Sequence, residues 1–563
     1  MRGRIATVVA VAIILVLFLI PLRGLMRSQG PPMEEGFMLT FPQRVLQGEI
    51  PNRDFLHLYG PGSVWVLAGF FKVFGDALAT ERTVGLLQQL GLVFGVFMLA
   101  RYWGRTLATF ASVITLLIIL PPIGLTALAW VGAVALGVWA TWFALEARRA
   151  VTLERPPGPL VARDVRRARR LAAAAGLAGG LALLYRPDLI VAVTGALVVG
   201  LWGARQARLR RPALIGAAVG LAPYAVHLAT AGIGTAVRGM VLDPVIYLRG
   251  GRRLPIPPRP GGRPAGFLQR SGEIYELGWP LPKLSTAAEL TVWFFLLIGA
   301  ATVLVAVGAV LVRRRPTWFR PRVLLAVGVF CVGLLPQGVQ RTDSAHFAWA
   351  SCVSLGFVPV AIYTVLGERA PRFDVRARQL IAGLGVLVLL IALIPKFVGR
   401  SYADYALQSF GRHRLAYRIH YDGRTFYYGR ADVQEALRGL LPDIDRVSKP
   451  GDRLLVGPSD FRKTPYSEAF IYYLFPELRP GTYFIEMDPG VANRAGSRLA
   501  DDVAESDVIV LSSVWDDWDE PNDSRKLGSD APNQVLERQF CRVGEYGGLF
   551  QLYTRRNSGA RCP

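Results

Sequence analysis

Glu34 and Glu35 stand side by side shortly after an uncharged run, Ile5 to Leu22, that is long enough to lie in a bilayer. Arg53, Asp54 and His57 follow in the same segment, MEEGFMLTFPQRVLQGEIPNRDFLHLYGPG (33–62). Two later short segments carry the same residue types. YRPD supplies Arg186 and Asp188, and QRTDSAH supplies Arg341, Asp343 and His346. A carboxylate can take the proton from an acceptor hydroxyl as general base. Guanidinium and imidazole groups can stabilise the negative charge that develops on a phosphate leaving group. Such a set suits a reaction between a phosphate ester and a hydroxyl. No phosphate-cradling GxxxxGK[ST] loop is present, so the donor is expected to arrive already activated, on a lipid.

Groups of this kind need rigid elements to bring them together. The chain has 563 residues, 52% of them hydrophobic and only 19% charged, with a mean hydropathy of +0.34. The apolar residues come in blocks of membrane-crossing length. Eleven are expected to span, at 5–22, 82–100, 106–120, 123–145, 171–185, 188–204, 213–231, 288–312, 323–338, 347–366 and 379–397. A twelfth run, 61–75, is short, carries Lys72 and is bracketed by glycines. It reads as a helix lying at the interface.

The net charge is +23, almost all of it arginine against six lysines. With the N-terminus inside, the arginines concentrate at 101–105, 147–170, 204–211, 312–322 and 367–378, all cytoplasmic loops. The opposite short loops, 121–122, 185–188 and 337–346, carry at most one arginine each. The basic excess therefore sets topology, and nucleic-acid binding is excluded. Residues 2–22 lack a small-x-small cleavage site and read as the first membrane helix, not a signal peptide. All the acid, arginine and histidine candidates then fall at the outer face of a plasma-membrane protein. His227, near the outer end of the seventh run, joins them. Ionisable groups at membrane depth are costly and pair or line a cavity; the alternative is that they only fix topology.

Three segments lie outside: 23–81, 232–287 and everything beyond 397. The last is long enough for an independent extracytoplasmic domain, 398–563, after a membrane domain of 1–397. Strands are expected at RLLVG (453–457), TYFIEM (482–487), DVIVLSS (507–513), CRVGEY and LFQLYTRR, with helices at 466–475 and 497–506. That alternation predicts a small α/β domain. WDDWDEPNDS (515–524) reads as a solvated acidic loop, with carbohydrate stacking or cation binding as the alternative. Of four cysteines, Cys331 and Cys352 pack inside spans, and Cys541 and Cys562 could pair. The fold class is a polytopic α-helical membrane protein with a C-terminal α/β domain.

EEGFMLTFPQRVLQGEIPNRDFLHLYGPGSVWVLAGFFKVFG resembles the first-loop signature of the GT-C glycosyltransferases, in the bacterial branch similar to dolichyl-phosphate-mannose–protein mannosyltransferases. The matching features are the acidic pair Glu34-Glu35, an amphipathic helix at 36–47, Arg53-Asp54-Phe55, Gly60-Pro61 and a second helix at 61–75. The resemblance implies an inverting transfer from a polyprenyl-phosphate sugar to a glycan, lipid or protein acceptor. The first acid of the pair serves as base, which is Glu34 here. The family has aspartate at that position, so Glu35 stays a second candidate. Asp54 would orient the acceptor or a neighbouring arginine. Arg53, His57, Arg186, Arg341 and His346 are candidates for the donor phosphate, and Asp188 and Asp343 for orienting groups. The loop 232–287 could close over the lipid head group. Some family members use a divalent cation, which Glu34, Glu35 and Asp54 could hold. The arginine-for-lysine bias suggests a high-GC, actinobacterial genome, with polyprenyl-phosphate mannose or arabinofuranose as candidate donors. Two other classes remain open: a lipid-linked-sugar transporter or flippase, and a non-catalytic scaffold with a glycan-binding domain.

Overall fold

All eleven apolar runs fold as helices in the computed structural model, which describes residues 2–152, 162–203, 207–260, 284–366, 374–412, 414, 416–464 and 466–556. In chain order the helices are α1 (Arg2–Leu25), α2 (Pro32–Leu46), α3 (Gly62–Phe74), α4 (Leu78–Ala100), α5 (Arg105–Ile123), α6 (Ala129–Thr152) and α7 (Ala162–Tyr185). Then come α8 (Ile190–Leu201), α9 (Ala207–Ala231), α10 (233–252), α11 (Thr286–Arg314), α12 (Phe319–Gln340), α13 (Ser344–Leu366) and α14 (Val375–Leu393). Among the described residues, nine helices are long and apolar enough to cross a membrane. The expected spans at 171–185 and 188–204 fall short of that measure. The first half of α7 is arginine-rich, and α8 has only 12 residues.

Helix α3 has 13 residues, about 20 Å at 1.5 Å per residue, against the ~30 Å of a hydrocarbon core. It cannot cross, as its sequence predicts. The acidic pair opens α2 inside its first turn, where the helix dipole favours negative charge. Small residues let the bundle close. A Cβ on Gly176 of α7 would lie 1.8 Å from the Ala213 carbonyl oxygen of α9, and one on Gly216 would lie 2.0 Å from Ala173 O. Helix α10 follows α9 directly and is π-helical over Arg238–Tyr247, around Pro244, which has no N–H to give to a regular ladder. Residues 261–283, the centre of the loop expected to cover the site, lie outside the described residues, as does Cys562 of the expected Cys541 pairing.

Beyond α14 a short helix, α15 (Ser401–Ser409), packs on α1. A hairpin of β1 (Tyr417–Tyr421) and β2 (Arg424–Tyr428) then leads to α16 (Ala431–Val447). The C-terminal sheet has the order β4-β3-β5-β7-β6. Its strands are β3 (Arg453–Pro458), β4 (Arg479–Pro480), β5 (Val508–Ser512), β6 (Phe540–Tyr546) and β7 (Phe550–Arg555). β3 runs parallel to β4 and β5, and β7 runs antiparallel between β5 and β6.

Two sequence expectations fail here for one reason. TYFIEM (482–487) is not a strand, because its backbone pairs with the first loop instead of the sheet. Leu56 N donates to Tyr483 O at 2.8 Å, and Arg44 Nη1 donates to Thr482 O at 2.8 Å. The helix expected over 466–475 shortens to Phe470–Leu474, which is pressed against α2. A Cβ on Gly36 would sit 2.7 Å from Phe470 N.

Candidate functional site

A cavity of about 230 Å³ opens where α2, α10, the α7–α8 and α12–α13 turns and the sheet domain meet. Seven of the eleven sequence candidates line it: Glu34, His57, Arg186, Asp188, Arg341, Asp343 and His346; His227 lies outside it, with its Nε2 3.0 Å from Asn52 Oδ1. Glu34 comes from the first turn of α2. Burial pushes its carboxyl up to about 7, against the pull of its own backbone N–H and of Arg252. One carboxylate oxygen, Oε2, is buried without a hydrogen-bond partner.

Arg186 is 5% exposed. Asp188 takes two of its hydrogen bonds, from Nε at 2.8 Å and Nη2 at 2.5 Å. Its guanidinium lies 4.4 Å from the Tyr59 ring centre and 5.3 Å from that of Trp349. Nη1 is buried with no partner. Asp188 and two aromatic faces thus hold the guanidinium in one orientation and leave one N–H edge for an anion.

Arg341 is differently engaged. It donates to Glu520 through Nη1 at 3.0 Å and Nη2 at 2.5 Å, to Asp343 through Nε at 2.8 Å and to Arg252 O at 2.8 Å. Asp343 accepts the His346 backbone N–H at 2.8 Å and lies 2.8 Å from His346 Nδ1. Burial would raise the Asp343 carboxyl, but His346 and Arg341 outweigh it and hold it at about 2. The His346 ring packs against Trp130, centres 4.7 Å apart. His57 is buried at 1% exposure, and that burial lowers it to about 3, so it faces the cavity as a neutral ring. A charged contact with phosphate, as its sequence position suggests, does not fit that state.

Glu35, Arg53 and Asp54 lie elsewhere. Neighbours on a helix point about 100° apart, and Glu35 turns to α4. There it accepts from Arg82 Nε at 2.7 Å and Nη2 at 2.8 Å, with both side chains buried. Arg82 also donates to Leu25 O and Ser28 O, fastening the α1–α2 turn to α4. Glu35→Gln is therefore expected to cost about 1–3 kcal/mol of stability through the weakened charge-assisted bonds. Thermal unfolding in detergent would register it as a lowered Tm. Arg53 and Asp54 pair with each other at 2.8 Å on a half-exposed turn, where Asp54 also caps Ile50 N at 2.7 Å. Glu34, Glu35 and Asp54, the suggested cation set, thus face three different ways. Among the described residues no three His, Cys, Asp or Glu side chains are grouped to hold a metal.

Several cavity groups escape a sequence reading. Arg252, from the end of α10, is one arginine among many in its loop; it forms an ion pair with Asp488. Tyr59 is the stacking partner of Arg186. Glu486 enters from the sheet domain, the one carboxylate in an apolar run. Glu520 belongs to the WDDWDE loop, whose Asp516, Asp517 and Asp519 are exposed as expected of a solvated acidic loop. Glu520 is 3% exposed and accepts from Tyr466 OH at 2.8 Å as well as from Arg341. Trp515 Nε1 donates to buried Glu468 at 2.9 Å.

No family model and no curated protein matches the chain. Solved structures do. ArnT from Cupriavidus metallidurans, bound to undecaprenyl phosphate, aligns over 99% of both chains with 14% identity and a TM-score of 0.50. The apo state of the same enzyme aligns over 100% of both, at 14% and 0.52. AglB, an archaeal oligosaccharyltransferase from Archaeoglobus fulgidus, aligns over 98% of this chain and 75% of its own, at 12% and 0.47. The match to ArnT runs from the first helix through the C-terminal sheet. The chain shares the fold of ArnT over its whole length.

Proposed function

We propose that the protein transfers a sugar from a polyprenyl-phosphate donor to an acceptor hydroxyl on the outer face of the plasma membrane, with Glu34 as general base. The observation that carries this reading is one cavity holding a near-neutral carboxylate, Glu34, together with a buried guanidinium, Arg186, that has an open N–H. Ionised Glu34 accepts the acceptor's O–H proton as the oxygen bonds to the anomeric carbon. The bond from that carbon to the phosphate oxygen breaks with inversion, and Arg186 stabilises the charge left on the phosphate. Met240, Pro244, Val245 and Leu248 of α10 form an apolar wall beside these groups, suited to the first isoprene units. The fold shared with ArnT supports a lipid-phosphate donor. The arginine-rich loops support a cytoplasmic N-terminus and an extracytoplasmic sheet domain.

The metal question bears on Glu34 alone among the three carboxylates first considered, and no step above needs an ion. The acceptor class and the sugar, mannose and arabinofuranose included, are to be read from products. Purified protein incubated with a panel of polyprenyl-phosphate sugars and candidate acceptors should yield a glycosylated product and free polyprenyl phosphate by mass spectrometry. Movement of an intact lipid-linked sugar across vesicles, with no new glycosidic bond from any donor, would overturn the reading in favour of transport.

A further inference from the structure

Glu486 lines the same cavity as Glu34 but comes from the other end of the chain. It is 5% exposed. Among the described residues no hydrogen bond reaches its carboxyl, whose electrostatic neighbours are Arg252 and Glu34; Tyr59 lies within its field as well. Its place is fixed by backbone on both sides. Tyr483 O and Ile485 O accept from Leu56 N at 2.8 Å and Ser467 Oγ at 2.9 Å. Tyr483 OH donates to Asn52 O at 2.9 Å. The next residue, Met487, has φ of 51°, a conformation that a non-glycine residue keeps only where its surroundings enforce it. This leaves a carboxyl held firmly at the cavity wall with no partner among the described residues.

Charge balance says in which state. Each cavity arginine already has its own carboxylate: Arg186 has Asp188, Arg252 has Asp488, and Arg341 has Asp343 and Glu520. Glu34 must be ionised to act as base. A phosphodiester donor adds a further negative charge. An ionised Glu486 would add one more uncompensated anion in a water-poor space, where like charges cannot all persist. We propose that Glu486 is a donor-binding residue that stays protonated when the lipid phosphodiester is bound and donates its O–H to a phosphate oxygen. This rests on the donor reading above. Donor binding then requires that proton, and affinity falls as pH rises through the titration of Glu486. Burial and Glu34 push that carboxyl up, against Arg252, to about 7.

The test is made in the Glu34→Gln protein without an acceptor, so that no transfer occurs and the base no longer titrates. The probe is a short-chain isoprenyl-phosphate glycoside, a phosphodiester with no titration between about pH 5 and 9. Binding is measured across that range with Glu34→Gln alone and with Glu34→Gln/Glu486→Gln. His57 and His346 also face the cavity and are common to both proteins, so the difference between the two profiles reports Glu486 alone. The single variant should lose affinity, by up to about tenfold per pH unit, at alkaline pH. The double variant should bind with a flat profile, and Glu34→Gln/Glu486→Asp should restore the slope. Equal pH dependence in single and double variants overturns the inference and leaves the donor reading standing. No binding at any pH, by wild type or variants, sinks the donor reading and this inference with it.

Discussion

Glu34→Gln should lower sugar transfer by about a thousandfold while the protein still folds and binds donor. A positioned general base contributes roughly 10²–10⁴ in rate, and Gln keeps the size of Glu but cannot accept the proton. Glu34 Oε2 has no internal hydrogen bond to lose, so the substitution removes chemistry, not structure. Initial rates of product formation, with donor binding measured in parallel, check it. The same residue sets the pH dependence. Its carboxyl is raised to about 7, with burial the largest cause, and only the ionised form is a base. The rate at saturating donor should therefore be full above that value and fall as pH drops through it, about tenfold per unit. Glu35→Gln, one residue along, should lower Tm and leave the acid limb where it is. Wild-type rates in Glu34→Gln would remove it as the base.

Arg341→Leu should be the most destabilising single change at the site, by about 3–5 kcal/mol. Arg341 is 6% exposed, Asp343 1% and Glu520 3%. Removing the guanidinium leaves two carboxylates buried without the cation they share. Glu520→Gln keeps one partner polar and should cost less, roughly 1.5–3 kcal/mol. Differential unfolding should show both, with limited proteolysis reporting release of the sheet domain before the helices melt. The pairing also has a pH signature. Asp343 is held at about 2, below the usual carboxylate value. The stability it contributes is present above the unfolded pKa, ~4, and is lost as pH falls through about 2. Unchanged melting in Arg341→Leu would mean that the sheet domain is held by apolar packing alone.

The membrane helices were legible because a span needs a long apolar block, and a block is visible in one dimension. Helix α3 was legible as non-spanning because counting it would have reversed every later arginine loop. The site was legible only in its loops. Glu34 of the acid pair, the YRPD turn and the QRTDSAH turn all reach one cavity, since each lies at the same end of the bundle. Which acid faces in was not legible. It depends on the rotation of α2, which Phe470 and the Glu35–Arg82 pair fix from far along the chain. Arg53 and Asp54 had the right chemistry, but adjacent opposite charges on a turn satisfy each other first. Glu486 was hidden by apolar neighbours that read as a strand, because the partners of that backbone lie more than four hundred residues earlier.

Strand β7, the last strand described, lies between β5 and β6 and is the sole link of β6 to the sheet. The wall bearing Glu486 and Glu520 therefore belongs to a sheet whose order cannot be completed until β7 has been made and has inserted between β5 and β6, long after α2 has formed.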